Sequence, residues 1–139
     1  TADEVDLNRE ILRFAREIAA DERAELHVCH AFWILSERVL PEQSRAFVKE
    51  FAARVRRVMG ELLSPFGLSP DDRCVHIVDG DPGEVIPALA ARERIDLLVM
   101  GTIARAGVPG LLIGNTADTV LRGIGCSVLA VKPDSLFRV

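Results

Sequence analysis

The sequence predicts a layered α/β domain, a doubly wound parallel sheet with helices on both faces. Short apolar segments of strand length alternate with segments of three- and four-residue apolar spacing, in the order α-β-α-β-α-β-α-β. Strands separated by helices pair in parallel through right-handed crossovers. The third strand, "IDLLVMG", is apolar almost throughout, which requires cover on both faces. With 139 residues, 49% apolar and 27% charged, the chain suits a single soluble domain spanning residues 1–139.

Leu7, Ile11, Phe14, Ala15, Ile18 and Ala19 form one apolar stripe, predicting a helix over about residues 7–22. "AELHVCHAFW" (Ala24 to Trp33) is a strand. Pro41 suits the first position of a long helix carrying Phe47, Val48, Phe51, Val55, Val58, Met59 and Leu62, which "SPFGLSP" (Ser64 to Pro70) breaks. "RCVHIV" (Arg73 to Val78) is a second strand. A helix over about Pro82 to Arg92 carries Val85, Ile86, Leu89 and Ala90 inward. After "IDLLVMG" and a glycine-bearing loop, Asn115 or Thr116 can cap a helix running to about Ile124, and "CSVLAVKP" (Cys126 to Pro133) is the last strand. A doubly wound domain normally begins with a strand. Here "TADEVD" precedes the first helix, half of it acidic and unfit for a buried central strand, so the usual first strand is absent from this chain.

A net charge of −4 disfavours a nucleic-acid surface. No apolar run is long enough to cross a bilayer. Cys29, Cys74 and Cys126 are odd in number and widely spaced, favouring reduced thiols and a cytoplasmic setting. In "HVCH", strand alternation sets His27 and Cys29 on one face and His30 on the other, so no metal site is expected even with Cys74 and His76 on the neighbouring strand. No paired carboxylates at a strand end and no activated nucleophile mark an enzyme.

"GTIARAGVPGLLIGNTADTVL" (Gly101 to Leu121) holds four of the ten glycines. In open parallel sheets ligands sit beyond the carboxyl ends of strands, where glycine allows close approach to the main chain. Amides around Gly114, Asn115 and Thr116, at a helix N-terminus, favour a phosphate. The same loop could simply pack Val108, Leu111, Leu112 and Ile113 over the sheet. It is neither a Walker A loop nor a dinucleotide fingerprint.

"VDGDPGEVIPALAARERIDLLVMGT", "GNTADTVLRGIGCSVLAVKP" and, upstream, "LNREILRFAREIAADERAELHVCHAFW" together resemble a universal stress protein domain, from about Leu7 to Pro133. The Gly-Asn-Thr-Ala loop with Lys-Pro-Asp after the last strand is similar to the second half of tandem, two-domain members. The resemblance implies a sheet in the order 3-2-1-4-5 and, in some members, bound ATP or another adenine nucleotide. It places Val28 on the adenine side, Met100 and Gly101 near base and ribose, and Ala104, Gly114 and Asn115, followed by Thr116, at the phosphates. It also implies a homodimer or tandem pairing through the last strand, at Val128, Leu129, Ala130 and Val131. Two positions depart from the family loop: Ala104 stands where glycine is expected, and Asn115 where serine or threonine is expected. The expected function is a non-enzymatic stress-response domain with a nucleotide-type pocket, at most a slow ATP hydrolase. The alternatives are a degenerate scaffold that works by pairing and, less favoured, a nucleotide-processing enzyme.

Overall fold

The computed structural model describes residues 2–32, 45–102 and 115–132, with side chains from residue 6 onward. In chain order the elements are α1 (Ala2–Asp21), β1 (Val28–Phe32), α2 (Arg45–Leu63), a 3-10 turn (Ser64–Phe66), β2 (Val75–Asp79), α3 (Pro82–Arg92), β3 (Leu97–Gly101), α4 (Asn115–Gly123) and β4 (Ser127–Val131). The chain divides into two compact units, Thr1–Leu26 with Pro82–Val139, and His27–Asp81.

In the first unit β3 and β4 pair in parallel, from Leu97↔Ser127 to Gly101↔Val131. The Thr102 N–H extends the ladder to the Val131 carbonyl at 3.2 Å. Helix α1 packs on this pair, and its Leu7 and Leu12 are buried. Helices α3 and α4 pack together through buried Leu89, Ala90, Ala117 and Val120. Gly123 of α4 faces Pro87 of α3, where an added Cβ would lie 3.3 Å from Pro87 Cγ. Pro87, inside α3, has no N–H to return to the Gly83 carbonyl one turn back.

Two of these helices end alike. Arg23 and Arg94 are left-handed, with φ 51° and 52°. The Arg23 N–H bonds Ala20 and the Ala24 N–H bonds Ala19; the Arg94 N–H bonds Ala91 and the Ile95 N–H bonds Ala90. Each is a Schellman end, closed by matching sequences, Ala-Ala-Asp-Glu-Arg and Ala-Ala-Arg-Glu-Arg.

In the second unit β1 and β2 pair in parallel, from Val28↔Val75 to Phe32↔Asp79. Met59 and Leu63 are the buried residues of α2. The 3-10 turn closes on Gly67 at φ 72°, whose N–H reaches the Ser64 carbonyl. Phe51 of α2 lies against Phe32 of β1, with ring centroids 6.0 Å apart. Phe47 and Val58 are exposed, at 60% and 54%, although both fall on apolar positions of the helical pattern.

The fold class is therefore as the sequence predicts, parallel α/β, but the strands form two two-stranded sheets. Those pairs are strands 2 and 3, and strands 4 and 5, of the order 3-2-1-4-5. Among the described residues no strand corresponds to strand 1 of that order. The acidic segment before Leu7 belongs to α1, whose first residue is Ala2. Asn115 opens α4 as its first helical residue. Pro41, Ala104 and Gly114 lie outside the described residues.

Candidate functional site

Strand β3 delivers Met100 and Gly101 to its carboxyl end, both half-buried, with Thr102 directly beyond. Gly101 has no Cβ for a specific reason visible here. A Cβ built on it would stand 2.9 Å from Ile11 Cδ1 and 3.0 Å from Leu7 Cδ2. What approaches the main chain on that side is helix α1, so the glycine at the strand end serves close packing of a helix on a sheet.

Thr102 is 2% exposed. Its Oγ1 is the buried side-chain polar atom that lacks a hydrogen-bond partner among the described residues. Sequence reasoning passed over this residue because a threonine beside a glycine carries no motif; its signal was its place, immediately after the apolar run and its glycine. Across the loop, Asn115 and Thr116 begin α4 and are exposed. The Thr119 hydroxyl donates to the Asn115 carbonyl at 2.8 Å, and Asp118 pairs with Arg122 at 3.0 Å. The one acid in the first turn of α4 therefore carries its own counter-charge, leaving the positive end of the helix dipole without an opposing free carboxylate.

Val28 opens β1, four residues before that strand's carboxyl end at Phe32. It lies in the other unit from Met100, Gly101, Asn115 and Thr116.

Strands β1 and β2 carry Cys29, His30 and His76, and His27 and Cys74 directly precede them. His27 Nδ1 and His76 Nε2 are 3.1 Å apart. Their centroids are 5.3 Å apart and their planes 17° from parallel. That separation is close to the nitrogen–nitrogen distance plus two ring radii, so the rings meet edge to edge, nitrogen to nitrogen, and not face to face. One imidazole donates and the other accepts. Nitrogens facing head-on leave no space for an ion between them, and among the described residues no group of three or more His, Cys, Asp or Glu side chains is placed to hold a metal. Burial pushes the Cys29 thiol up to about 11. Desolvation lowers the His30 pKa below its ordinary value, although the residue as a whole is exposed.

The universal stress protein family profile matches residues 2–132. The chain belongs to the universal stress protein family. Universal stress protein E of Escherichia coli (strain K12) is 30% identical over 134 residues, covering 92% of this chain and 42% of that protein. A Pseudomonas aeruginosa UCBPP-PA14 structure, provisionally described as a universal stress protein, is 33% identical with a TM-score of 0.71, covering 90% of this chain and 40% of that one. The chain thus spans about two-fifths of the length of these relatives. A universal stress protein crystallised in complex with cAMP shares the fold, with a TM-score of 0.59 and 23% identity over 96% of this chain and 92% of its own. Among the described residues no helix is long and apolar enough to cross a membrane.

Proposed function

We propose that this universal stress protein domain binds an adenine nucleotide at the carboxyl end of β3 and the start of α4, and that it acts by binding and association without turnover. The observation that carries the reading is the orphaned, buried hydroxyl of Thr102 at a strand's carboxyl end, where doubly wound sheets take their ligands. Met100 and Gly101 close the same strand, and Asn115 and Thr116 open a helix of nine residues whose N-terminal amides suit a phosphate. The assignment of Ala104 and Gly114, which lie outside the described residues, to the phosphates, and of Val28, which lies in the other unit, to the adenine rests on the family resemblance alone. The cAMP complex of a protein with this fold supports the nucleotide class. When bound, the nucleotide would supply a ligand-dependent change in stability and partner affinity. The chain fits the place of one domain of a tandem protein, consistent with its coverage of the E-type relatives.

Thermal-shift titration with ATP, ADP, AMP and cAMP tests this. A ligand at 100-fold over its Kd adds about 2.7 kcal/mol. No shift with any of the four overturns the reading.

A second reading has its own observation. Strand β4 pairs on one side with β3 and shows apolar Leu129 and Ala130 at its surface, Leu129 at 37% exposure, with Val128 half-buried and Val131 buried. An apolar edge of this kind recruits another strand. As a scaffold the domain would form a homodimer, or pair with a companion domain, through Val128 to Val131. Leu129→Lys should then yield monomers in sedimentation, and no nucleotide should shift the melting temperature of either protein.

A further inference from the structure

We propose that the outer stripe of α2 is a self-complementary surface on which a second copy of this chain docks, the two helices lying antiparallel. This goes beyond the nucleotide reading and does not depend on it. The most exposed large apolar side chains among the described residues, Phe47 at 60% and Val58 at 54%, both belong to α2. At 3.6 residues per turn, Phe47, Glu50, Arg54 and Val58 fall within an arc of about 80°. Glu50 and Arg54 are exposed too, and no ion pair among the described residues engages either. Phe47 is held in place. Its ring stacks on Phe51 with centroids 6.5 Å apart, and Phe51 lies against Phe32 of β1 at 6.0 Å. An aromatic side chain positioned in this way loses little freedom on docking and makes an interface anchor.

The order of the four residues selects the partner. From Phe47 to Val58 the stripe reads apolar, acidic, basic, apolar. Turned end to end against itself, it sets Phe47 of one copy against Val58 of the other and Glu50 against Arg54, and the two-fold axis repeats both pairings. The pairings need the same overlap to within one residue, about 1.5 Å of helix rise, with the axis beside Ala52. A parallel arrangement would oppose like charges. The stripe carries Glu50 and Glu61 against Arg54, with Arg57 at its margin, so it offers no cationic excess to a polyanion or an anionic membrane. Arg45, Lys49 and Arg56 fall on the opposite flank by the same spacing, and Arg56 is already paired with Asp71.

Sedimentation velocity tests this on the wild-type chain, Phe47→Ala, Glu50→Arg, Arg54→Glu and an equimolar mixture of the two charge variants. One helix pair buries less than the ~1,200 Å² of a stable interface, so the expected dimer is weak, half-formed near ~100 µM. Phe47→Ala should weaken it about tenfold with little change in melting temperature, since most of that side chain is in solvent. Glu50→Arg and Arg54→Glu should each be monomeric at that concentration, because like charges then face each other across the axis. Mixed, they should form a heterodimer at wild-type strength, one copy offering acids and the other bases. A variant that had lost its fold would not be rescued by mixing. The association should persist in Leu129→Lys, because β4 lies in the other unit. A wild-type chain that stays monomeric up to ~1 mM overturns the proposal. So does a Phe47→Ala chain that dimerises like wild type, or a mixture that remains monomeric. Dimers lost with Leu129→Lys but kept with Phe47→Ala assign self-association to β4 and overturn it as well.

Discussion

Ile11 Cδ1 lies 2.9 Å from the point where a Cβ on Gly101 would stand, with Leu7 Cδ2 at 3.0 Å. Helix α1 therefore occupies the space that the glycine leaves open. Gly101→Ala should destabilise the protein by about 1–2 kcal/mol, at the lower part of the overpacking range because both obstructing atoms are ends of flexible side chains. Ile11→Val removes the nearer atom, so the double variant should recover part of the loss. Chemical denaturation of the four proteins gives the coupling directly. A Gly101→Ala variant as stable as wild type would show that this contact is slack.

Two partly desolvated groups of β1 give stability opposite pH limits. The Cys29 thiol rises from an ordinary 9.0 to about 11, so between those values the folded chain holds a proton that the unfolded chain has lost. Stability is then full below pH 9 and falls as pH rises toward 11, by less than the ~2.7 kcal/mol that this difference represents, because the residue is only half-buried. His30 runs the other way. Its folded value lies below the ordinary 6.5, so the unfolded chain binds the extra proton and stability declines as pH drops below 6.5. Cys29→Ala should flatten the alkaline limb of a stability–pH curve and His30→Gln the acid limb. Unchanged limbs would contradict both assignments.

Arg23 and Arg94 each hold a left-handed conformation that a side chain makes costly. Arg23→Gly and Arg94→Gly should each stabilise by ~0.5 kcal/mol, the gain in the folded state being partly offset by the greater freedom of glycine in the unfolded chain. Melting curves decide this, and a fall in stability for either variant would mean that its arginine makes contacts outweighing the strain.

Much of this was legible in the sequence. The apolar spacing of Leu7, Ile11 and Ile18 marked α1, the unbroken run before Gly101 marked β3, and Pro82 and Asn115 sat at helix starts as local chemistry requires. These signals are read within a few residues, because backbone hydrogen bonding and side-chain periodicity are local. Helix α1 runs back to Ala2, beyond the residues 7–22 that its apolar stripe marks, because charges argue against a strand but carry no local signal that a helix continues through them.

Length, alternation of elements, parallel pairing and family were determined by the sequence alone. The tertiary structure decided what each glycine and polar group is for. Only packing shows that Gly101 makes room for Ile11, that Gly123 makes room for Pro87, that His27 meets His76 end to end, and that Thr102 is buried without a partner. Each of these joins residues far apart in the chain or depends on what surrounds a side chain. Spacing along a sequence carries no measure of the distance between segments that meet only when the chain folds.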